Sequence, residues 1–436
     1  MSIILNPVVV SVIVLCVLCL LRVNVLLALI ISAISAGITA KMPIEDIMNT
    51  FVSGMGGNSE TALSYILLGM FAAAMSHTGL AGVLARKISG LIKSKKILLL
   101  FVIAFIAMLS QNLIPVHIAF IPILIPPLLH VMNKLKLDRR SVACALAYGL
   151  KTPYIVVPAG FGLIFQGLIA DNINQNGMQV LKADIWRYNW ILGVAMTVGF
   201  LWAVFVSYRK DREYADVNIE EDEEIKNIPL KLNRSHYITL LAAFATLIVQ
   251  LWSKSLPLGA LVGLGIVFGA GAVKHGKMDK LMDEGIGLMG YVAFVMLVAA
   301  GFAAVLKYTG GIETLVNALA PLMAYSKFLA IFLMLICGLF ITIGIGTSFG
   351  TIPILAVFFV PVCIHIGLSV PSTVIILSAA AALGDAGSPA SDTTLGPTAG
   401  LNADGAHNHI KDTCIPTFLH YNIPLFVFAL ISAYLF

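Results

Sequence analysis

One short segment of this sequence concentrates oxygen-bearing side chains directly after an apolar run. The segment GDAGSPASDTT covers residues 384–394 and follows the apolar residues 373–383. Hydroxyl, carbonyl and carboxylate oxygens are the ligands that hard cations prefer in proteins, and Na⁺ is such a cation. The residue types predict a Na⁺ or H⁺ site formed by Thr347, Ser348, Asp385, Ser388, Ser391, Asp392 and Thr393.

The two aspartates of this segment need partners if the segment lies within a membrane. A charged side chain costs roughly 2.5–3.5 kcal/mol or more at the centre of a bilayer. A bound cation or a proton would offset that cost at Asp385 and Asp392. The alternative is that both aspartates only cap helix fragments, since Asp and Ser at a helix start accept hydrogen bonds from free N–H groups.

A second polar set in the first half of the chain predicts a substrate site or a second ion site. It consists of Ser110, Gln111, Asn112, Lys151 and Thr152. This half has no carboxylate at the equivalent positions, and it has a lysine instead. The ammonium of Lys151 replaces a bound Na⁺ or attracts a substrate carboxylate. The alternative is that Lys151 extends to the membrane interface.

Titratable residues near these segments suggest a proton relay or pH sensing, because histidine titrates near neutrality. They are His117, Asp404, His407, His409 and Asp412. For His117, packing with satisfied hydrogen bonds is the alternative. The HxH spacing lacks a thiolate, so no transition-metal site is predicted.

The composition identifies the class of protein. Hydrophobic residues make up 59% of the 436 residues, charged residues make up 11%, and the mean hydropathy is +0.97. A soluble globule cannot bury that much apolar surface, so the chain belongs in a lipid bilayer, where apolar runs must be helical. The net charge of +5 is read as a topology signal, and no nucleic-acid partner is predicted. HExxH and P-loop motifs are absent from the sequence, so neither an enzyme nor a cofactor other than coupling ions is expected.

An internal repeat organises the chain. The tetrapeptide IPIL occurs at 121–124 and again at 352–355, an offset of 231 residues that also aligns other prolines, glycines and a lysine. We predict an all-α polytopic membrane protein with two repeats, 1–207 and 236–436, joined by a charged connector at 208–235. The first repeat crosses at 3–21, 23–40, 61–85, 141–170 and 188–207, with a re-entrant hairpin at 97–132. The second repeat crosses at 236–253, 256–273, 286–306, 371–400 and 415–435, with a re-entrant hairpin at 328–366.

Five crossings per repeat is an odd number, so the second repeat is predicted to be inverted relative to the first. Under this topology most of the 27 Lys and Arg residues fall on one face. Because cytoplasmic loops carry an excess of Lys and Arg, we assign this face to the cytoplasm. The protein is therefore predicted in the plasma (inner) membrane, with both termini outside. Broken helices from inverted repeats typically meet near the bilayer midplane in secondary transporters.

The segment at 384–394 resembles the signature of NhaC-type sodium/proton antiporters. The pattern G-D-x-x-S-P-x-S-D-T-T begins at Gly384, and the trailing H-I-x-D element is found at His409, Ile410 and Asp412. The tips at 110–112 and 347–348 look like those of the wider ion transporter superfamily. This chain departs from the signature with Ala386 and Gly387, where family members often carry a bulkier or charged residue.

The resemblance implies a homodimer whose transport domain moves across the bilayer in an elevator-like, alternating-access mechanism. The activity it implies is Na⁺/H⁺ antiport, with Na⁺ and/or H⁺ as coupling ions. The alternative is a Na⁺- or H⁺-coupled permease for an amino acid, such as histidine, or for a small carboxylate. Relatives of the family include both classes, so the motif leaves this choice open.

Overall fold

The computed structural model describes residues 5–21, 23–80, 83, 95–112, 121, 125–214, 232–253, 255–311, 314, 326–389 and 391–436. Within these ranges every regular element is helical, as the composition predicts. The helices of the first half are α1 Pro7–Leu20, α2 Val25–Thr39, α3 Ile44–Gly54, α4 Ser59–Thr78, α5 Lys96–Asn112, α6 Pro126–Lys134, α7 Arg139–Val156, α8 Phe161–Gln175 and α9 Ile185–Trp202. Those of the second half are α10 Arg234–Ser253, α11 Leu256–Gly269, α12 Met278–Tyr308, α13 Lys327–Ile345, α14 Ser348–His365, α15 Val370–Ala382, α16 Asp392–Leu401 and α17 Ile423–Leu435.

Several of these helices are long and apolar enough to cross a membrane. In the described ranges five meet that requirement, or up to seven if each sharply bent pair forms one span. A π-helical turn extends α9 to Ser207, and two π-helical turns with a short α-helical segment, Ile415–Thr417, between them connect His409 to α17. Together with the composition, these helices identify a multi-pass membrane protein.

The helix boundaries repeat with the offset of the IPIL tetrapeptide. Four pairs of helices begin 231 residues apart in the sequence, at Val25 and Leu256, Lys96 and Lys327, Arg139 and Val370, and Phe161 and Asp392. The internal repeat therefore extends to secondary structure. The opposite orientation of the two halves, the ten crossings and the domain boundaries stay predictions.

The predicted hairpin at 328–366 consists of α13 and α14, which meet at Gly346 and Thr347. Gly346 has a φ of 75°, which closes α13 in the left-handed conformation. The helices have 19 and 18 residues, so each extends about 27 Å, close to the thickness of a hydrocarbon core. Re-entry of this hairpin stays a prediction. In the other hairpin, the predicted tip at 110–112 is the end of α5, and the residues that follow it, 113–120, lie outside the described residues.

The crossings predicted at 141–170 and 371–400 are both interrupted. In the first, α7 ends at Val156 and α8 starts at Phe161, with a bend of 48° between them. In the second, α15 ends at Ala382 and α16 starts at Asp392. Pro158 lies in one gap and Pro389 in the other, and a proline removes a backbone donor that a continuous helix needs. We refer to 157–160 as the first break and to 383–391 as the second break.

Candidate functional site

Asp385 is the centre of the candidate site, and the backbone of the second break holds it in place. The residue before it, Gly384, has a φ of 85°, and a Cβ there would lie 2.6 Å from the carbonyl oxygen of Leu339. The side chain of Asn422 accepts a hydrogen bond from Gly384 N at 3.2 Å and donates one to the Ala386 carbonyl at 2.9 Å. Asp385 is consequently fixed in the interior, with 4% of its surface exposed.

Four side chains surround the Asp385 carboxylate. Its Oδ2 lies 2.7 Å from Ser348 Oγ, 3.1 Å from the Tyr154 hydroxyl and 3.2 Å from Lys151 Nζ. Its Oδ1 accepts a hydrogen bond from Ser391 Oγ at 2.6 Å. The site therefore combines groups from α7, from the start of α14 and from the second break.

Lys151 is a fully buried cation paired with this carboxylate. Its side chain is 0% exposed, and its Nζ also donates to the Ala382 carbonyl at 2.5 Å. Lys151 does not extend to an interface, because it is directed towards the second break. Residues three apart on a helix share a face, which explains why Lys151 and Tyr154 reach the same carboxylate. Lys151 and Ala382 are themselves 231 residues apart, the offset of the repeat.

The hydroxyl residues of the second break form a connected set around Asp385. Ser391 caps α16 by accepting from Thr393 N at 3.1 Å, and its hydroxyl lies 2.8 Å from Thr393 Oγ1. Thr393 Oγ1 in turn donates to the backbone carbonyl of Asp385 at 3.3 Å. Ser388 Oγ donates to the carbonyl of Ile343 and so connects the break to α13. Because Ser391 is the N-cap of α16, Asp385 does not cap this helix.

The structure describes the remaining predicted ion ligands only in part. Thr347 precedes α14, and its carbonyl accepts from Thr351 Oγ1 at 2.7 Å. Asp392 is the first residue of α16, and its side chain lies outside the described part of the chain. The same holds for the side chains of Ser110, Gln111 and Asn112, which end α5, and for all of His117.

Buried acceptor oxygens lie on the helices around the first break. Gln166 and Asn189 each donate a hydrogen bond to the Ile155 carbonyl at 3.2 Å. Their own amide oxygens are buried without a partner in the described structure, and so is the hydroxyl of Thr152, next to Lys151. Unpaired buried acceptors are uncommon in proteins, where ordered water or a bound ion is their usual partner.

Aromatic rings enclose one side of the site. Tyr154 lies 5.1 Å from Phe165 and 5.1 Å from Phe349, measured between ring centroids. Phe161 and Tyr65 continue the cluster at 5.6 Å from each other. These buried rings separate the Lys151–Asp385 pair from solvent on that side.

A buried ion pair lies at the far end of α16. Arg139 forms a double hydrogen bond with Asp404, and both side chains are almost fully buried. Burial raises the pKa of Asp404, but the hydrogen bonds from Arg139 and from Ala406 N outweigh it and hold the pKa below its usual value. Arg212 similarly binds Asp412 at 2.8 Å. These two predicted relay carboxylates therefore have fixed cationic partners.

The two histidines are joined by hydroxyls. His409 Nε2 donates to the Pro389 carbonyl at 3.0 Å, and its Nδ1 lies 2.7 Å from Thr398 Oγ1. Thr398 contacts Thr413, whose hydroxyl lies 2.7 Å from His407 Nε2. Burial lowers the pKa of His407 to about 4, so this imidazole is neutral at neutral pH. pH sensing near neutrality would therefore depend on the other groups.

Sequence reasoning missed several residues of this site. Tyr154 is three residues from Lys151, and that spacing could have revealed it. Asn422 and Arg139 gave no local signal, because the second break and Asp404, which they respectively contact, are 36 or more residues away in the chain. In the described residues no group of three or more His, Cys, Asp or Glu side chains is arranged to hold a metal.

Comparisons with known proteins agree with this architecture. Residues 145–430 match the model of the Na⁺/H⁺ antiporter family, and residues 6–92 match a second Na⁺-H⁺ antiporter family model. An uncharacterized membrane protein of Vibrio parahaemolyticus is 47% identical over 98% of this chain and 99% of its own length. YuiF of Bacillus subtilis, whose assignment as an amino acid transporter is provisional, is 46% identical over 98% of this chain and 99% of its own.

Two solved transporter structures show the fold. The YdaH transporter of Alcanivorax borkumensis has a TM-score of 0.60 at 16% identity, covering 89% of this chain and 88% of its own. MtrF of Neisseria gonorrhoeae, described with a class of antimetabolite efflux pumps, has a TM-score of 0.57 at 16% identity, covering 89% and 84%. The family match includes the second break and every side chain that contacts Asp385. The chain is a membrane protein of the secondary-transporter class and belongs to the Na⁺/H⁺ antiporter family.

Proposed function

We propose that this protein exchanges Na⁺ for H⁺ at the Lys151–Asp385 pair. The observation that supports this proposal is the ion pair itself, in which a fully buried ammonium lies 3.2 Å from a buried carboxylate. A buried ion pair is expensive to desolvate, and such pairs are not in general retained for stability. A functional role explains its presence, because intramembrane ionisable residues mark ion pathways.

The charge balance of the Lys151–Asp385 pair would couple Na⁺ binding to proton release. With Lys151 protonated, the ammonium neutralises Asp385, and the site has no net charge. When Lys151 releases one proton, one Na⁺ beside the carboxylate restores neutrality. Two unpaired cations beside one buried carboxylate would be unfavourable, so Na⁺ and the Lys151 proton compete. One Na⁺ is thereby exchanged for one H⁺.

The groups that the ammonium contacts provide ligands for Na⁺. Asp385 Oδ2 and the Ala382 carbonyl oxygen accept from Lys151 Nζ, and Ser348 Oγ lies 2.7 Å from the same carboxylate oxygen. Carboxylate, carbonyl and hydroxyl oxygens suit a hard cation. The family resemblance adds a homodimer with elevator-like alternating access, which we include in the proposal.

Exchange is tested in proteoliposomes that contain a pH dye and are given an inward Na⁺ gradient. The decisive variant is Lys151→Arg, because a guanidinium retains the positive charge but does not release a proton in proteins. We expect wild-type protein to show Na⁺-driven pH change, and Lys151→Arg and Asp385→Asn to show none. Lys182→Arg, at an exposed position, is the matched control and should remain active. Exchange by Lys151→Arg would refute the proposal.

A second candidate is a cation-coupled permease for an amino acid such as histidine or a small carboxylate. The aromatic cluster beside Lys151 and Asp385 favours it, since rings next to paired charges suit a small zwitterion, and so does the provisional assignment of YuiF. The same liposomes would receive radiolabelled histidine, other amino acids and malate. Uptake driven by the Na⁺ or H⁺ gradient, without pH change in the absence of solute, would favour the permease over antiport.

A further inference from the structure

We propose that the outer surface between α5 and the end of the α9 span contains a specific site for one anionic phospholipid. A groove of 710 Å³ opens on this surface, away from Asp385, and all of its lining residues are described. Nothing in the exchange chemistry above uses these residues. The proposal is therefore independent of the proposed function.

The body of the groove is apolar and faces outward. Leu98, Phe101 and Phe205 line it, and between 40% and 51% of the surface of each is exposed. Phe101 packs edge-on against Phe200 at 5.2 Å and lies 6.4 Å from Phe205, which fixes the helices on both sides. The concavity distinguishes this surface from the convex helix faces that contact lipid non-specifically.

Basic residues cluster at one end of the groove. Lys95 precedes α5 and Lys96 is its first residue, while Arg209 follows the span that ends at Ser207. Basic residues from both helices therefore mark the same membrane boundary. Tyr208 completes this end, and an aromatic residue with a polar tip is typical of the membrane interface. The groove thus presents cations to a headgroup and apolar side chains to an acyl chain.

The charges at this end favour an anionic headgroup. Lys96 Nζ contacts Asp211 at 2.5 Å, but both side chains are partly exposed, and such surface pairs contribute little. Lys95 and Arg209 are exposed and add two further positive charges. The headgroup of phosphatidylglycerol has a negative phosphodiester and an uncharged glycerol, so it complements this excess of positive charge. The choline of phosphatidylcholine adds a positive charge and does not.

The test measures thermal unfolding of the full-length protein in detergent with added dioleoyl phosphatidylglycerol, dioleoyl phosphatidylcholine or inorganic phosphate. Native mass spectrometry of the same samples counts the bound lipids. We expect phosphatidylglycerol to raise the unfolding temperature more than phosphatidylcholine, with one lipid retained. In Lys95→Gln/Arg209→Gln the half-saturating phosphatidylglycerol concentration should rise about 25-fold, since each basic residue near an anionic lipid is worth about fivefold in affinity.

The matched control is Lys41→Gln/Lys327→Gln, which removes two exposed charges elsewhere and should leave the half-saturating concentration unchanged. Equal stabilisation by both lipids would overturn the proposal, because it would indicate non-specific contact. Equal half-saturation in wild type and Lys95→Gln/Arg209→Gln would overturn it as well. Stabilisation by phosphate alone would identify a site for a free anion, and would also contradict a lipid site.

Discussion

The two breaks occupy equivalent places in the repeat but carry opposite chemistry. Lys151 is the charged residue near the first break, whereas Asp385 lies in the second break and Asp392 directly follows it. At both breaks an asparagine amide donates to a backbone carbonyl, from Asn189 to Ile155 and from Asn422 to Ala386, and these carbonyls are 231 residues apart. The two breaks thus share a backbone contact but differ in their charged groups. The comparison indicates that each half supplies one member of a single ion pair.

The largest effect is expected from separating the pair. Lys151→Ala leaves Asp385 buried without its cation, which should lower the free energy of unfolding by about 3–5 kcal/mol and abolish transport. The double variant Lys151→Met/Asp385→Leu removes both charges and should recover most of that stability while remaining inactive. Chemical unfolding and liposome transport measure the two properties. Transport activity in Lys151→Ala would show that Lys151 takes no part in the mechanism.

The backbone of the second break gives the next effect. Gly384→Ala places a Cβ 2.6 Å from the Leu339 carbonyl in a backbone with a φ of 85°, and should cost about 2–3 kcal/mol and misplace Asp385. The matched control is Gly265→Ala in α11, where a Cβ meets nothing within 4 Å. That control should be neutral or slightly stabilising, because alanine favours a helix over glycine. Equal unfolding midpoints for the two variants would contradict a strained second break.

The loop that follows α16 should make stability depend on pH. His407 has a pKa of about 4 when folded, below its unfolded value, so its contribution is complete above the unfolded pKa and is lost as pH falls towards 4. At pH 5 the loss relative to pH 8 should be about 2 kcal/mol. His407→Gln should abolish this part of the pH dependence. Parallel stability curves for both proteins from pH 8 to pH 5 would show that His407 titrates normally.

The smallest effect is expected from replacing Asn422 or Asn189 by alanine. Asn422→Ala removes two hydrogen bonds to the second break, whereas Asn189→Ala removes one to the first. At about 1 kcal/mol per bond, we expect Asn422→Ala to be roughly 1 kcal/mol more destabilising. Only Asn422→Ala should also weaken exchange, because it supports the turn that holds Asp385. The reverse order of destabilisation would mean that the first break is the more constrained one.

The sequence predicted the helical class, the two breaks and the candidate ion ligands because each follows from local composition. Pro158 and Pro389 interrupt apolar runs, and the hydroxyl cluster at 388–394 is visible in any reading of the chain. Lys151 was predicted to act either as a replacement for Na⁺ or as a carboxylate anchor. The structure supplied its partner, Asp385, which is 234 residues away.

Other parts of the site could not be predicted from local pattern. The Arg139–Asp404 pair depends on long-range packing, and Arg139 was expected only as a topology signal among other basic residues. Ser388 stays a predicted ion ligand, and the local pattern gave no sign that its hydroxyl donates to a carbonyl of α13. Which hydroxyl reaches a carboxylate depends on side-chain direction in an irregular segment, where helical periodicity gives no guidance.

The central claim is that one Na⁺ replaces one proton at the Lys151–Asp385 pair. The most direct test is the rate of Na⁺-driven pH change in proteoliposomes whose membrane potential is clamped with K⁺ and valinomycin. One-for-one exchange moves no net charge, so the rate should be the same at zero and at inside-negative potentials. A rate that changes systematically with the clamped potential, or no Na⁺-driven pH change at any potential, would contradict the account.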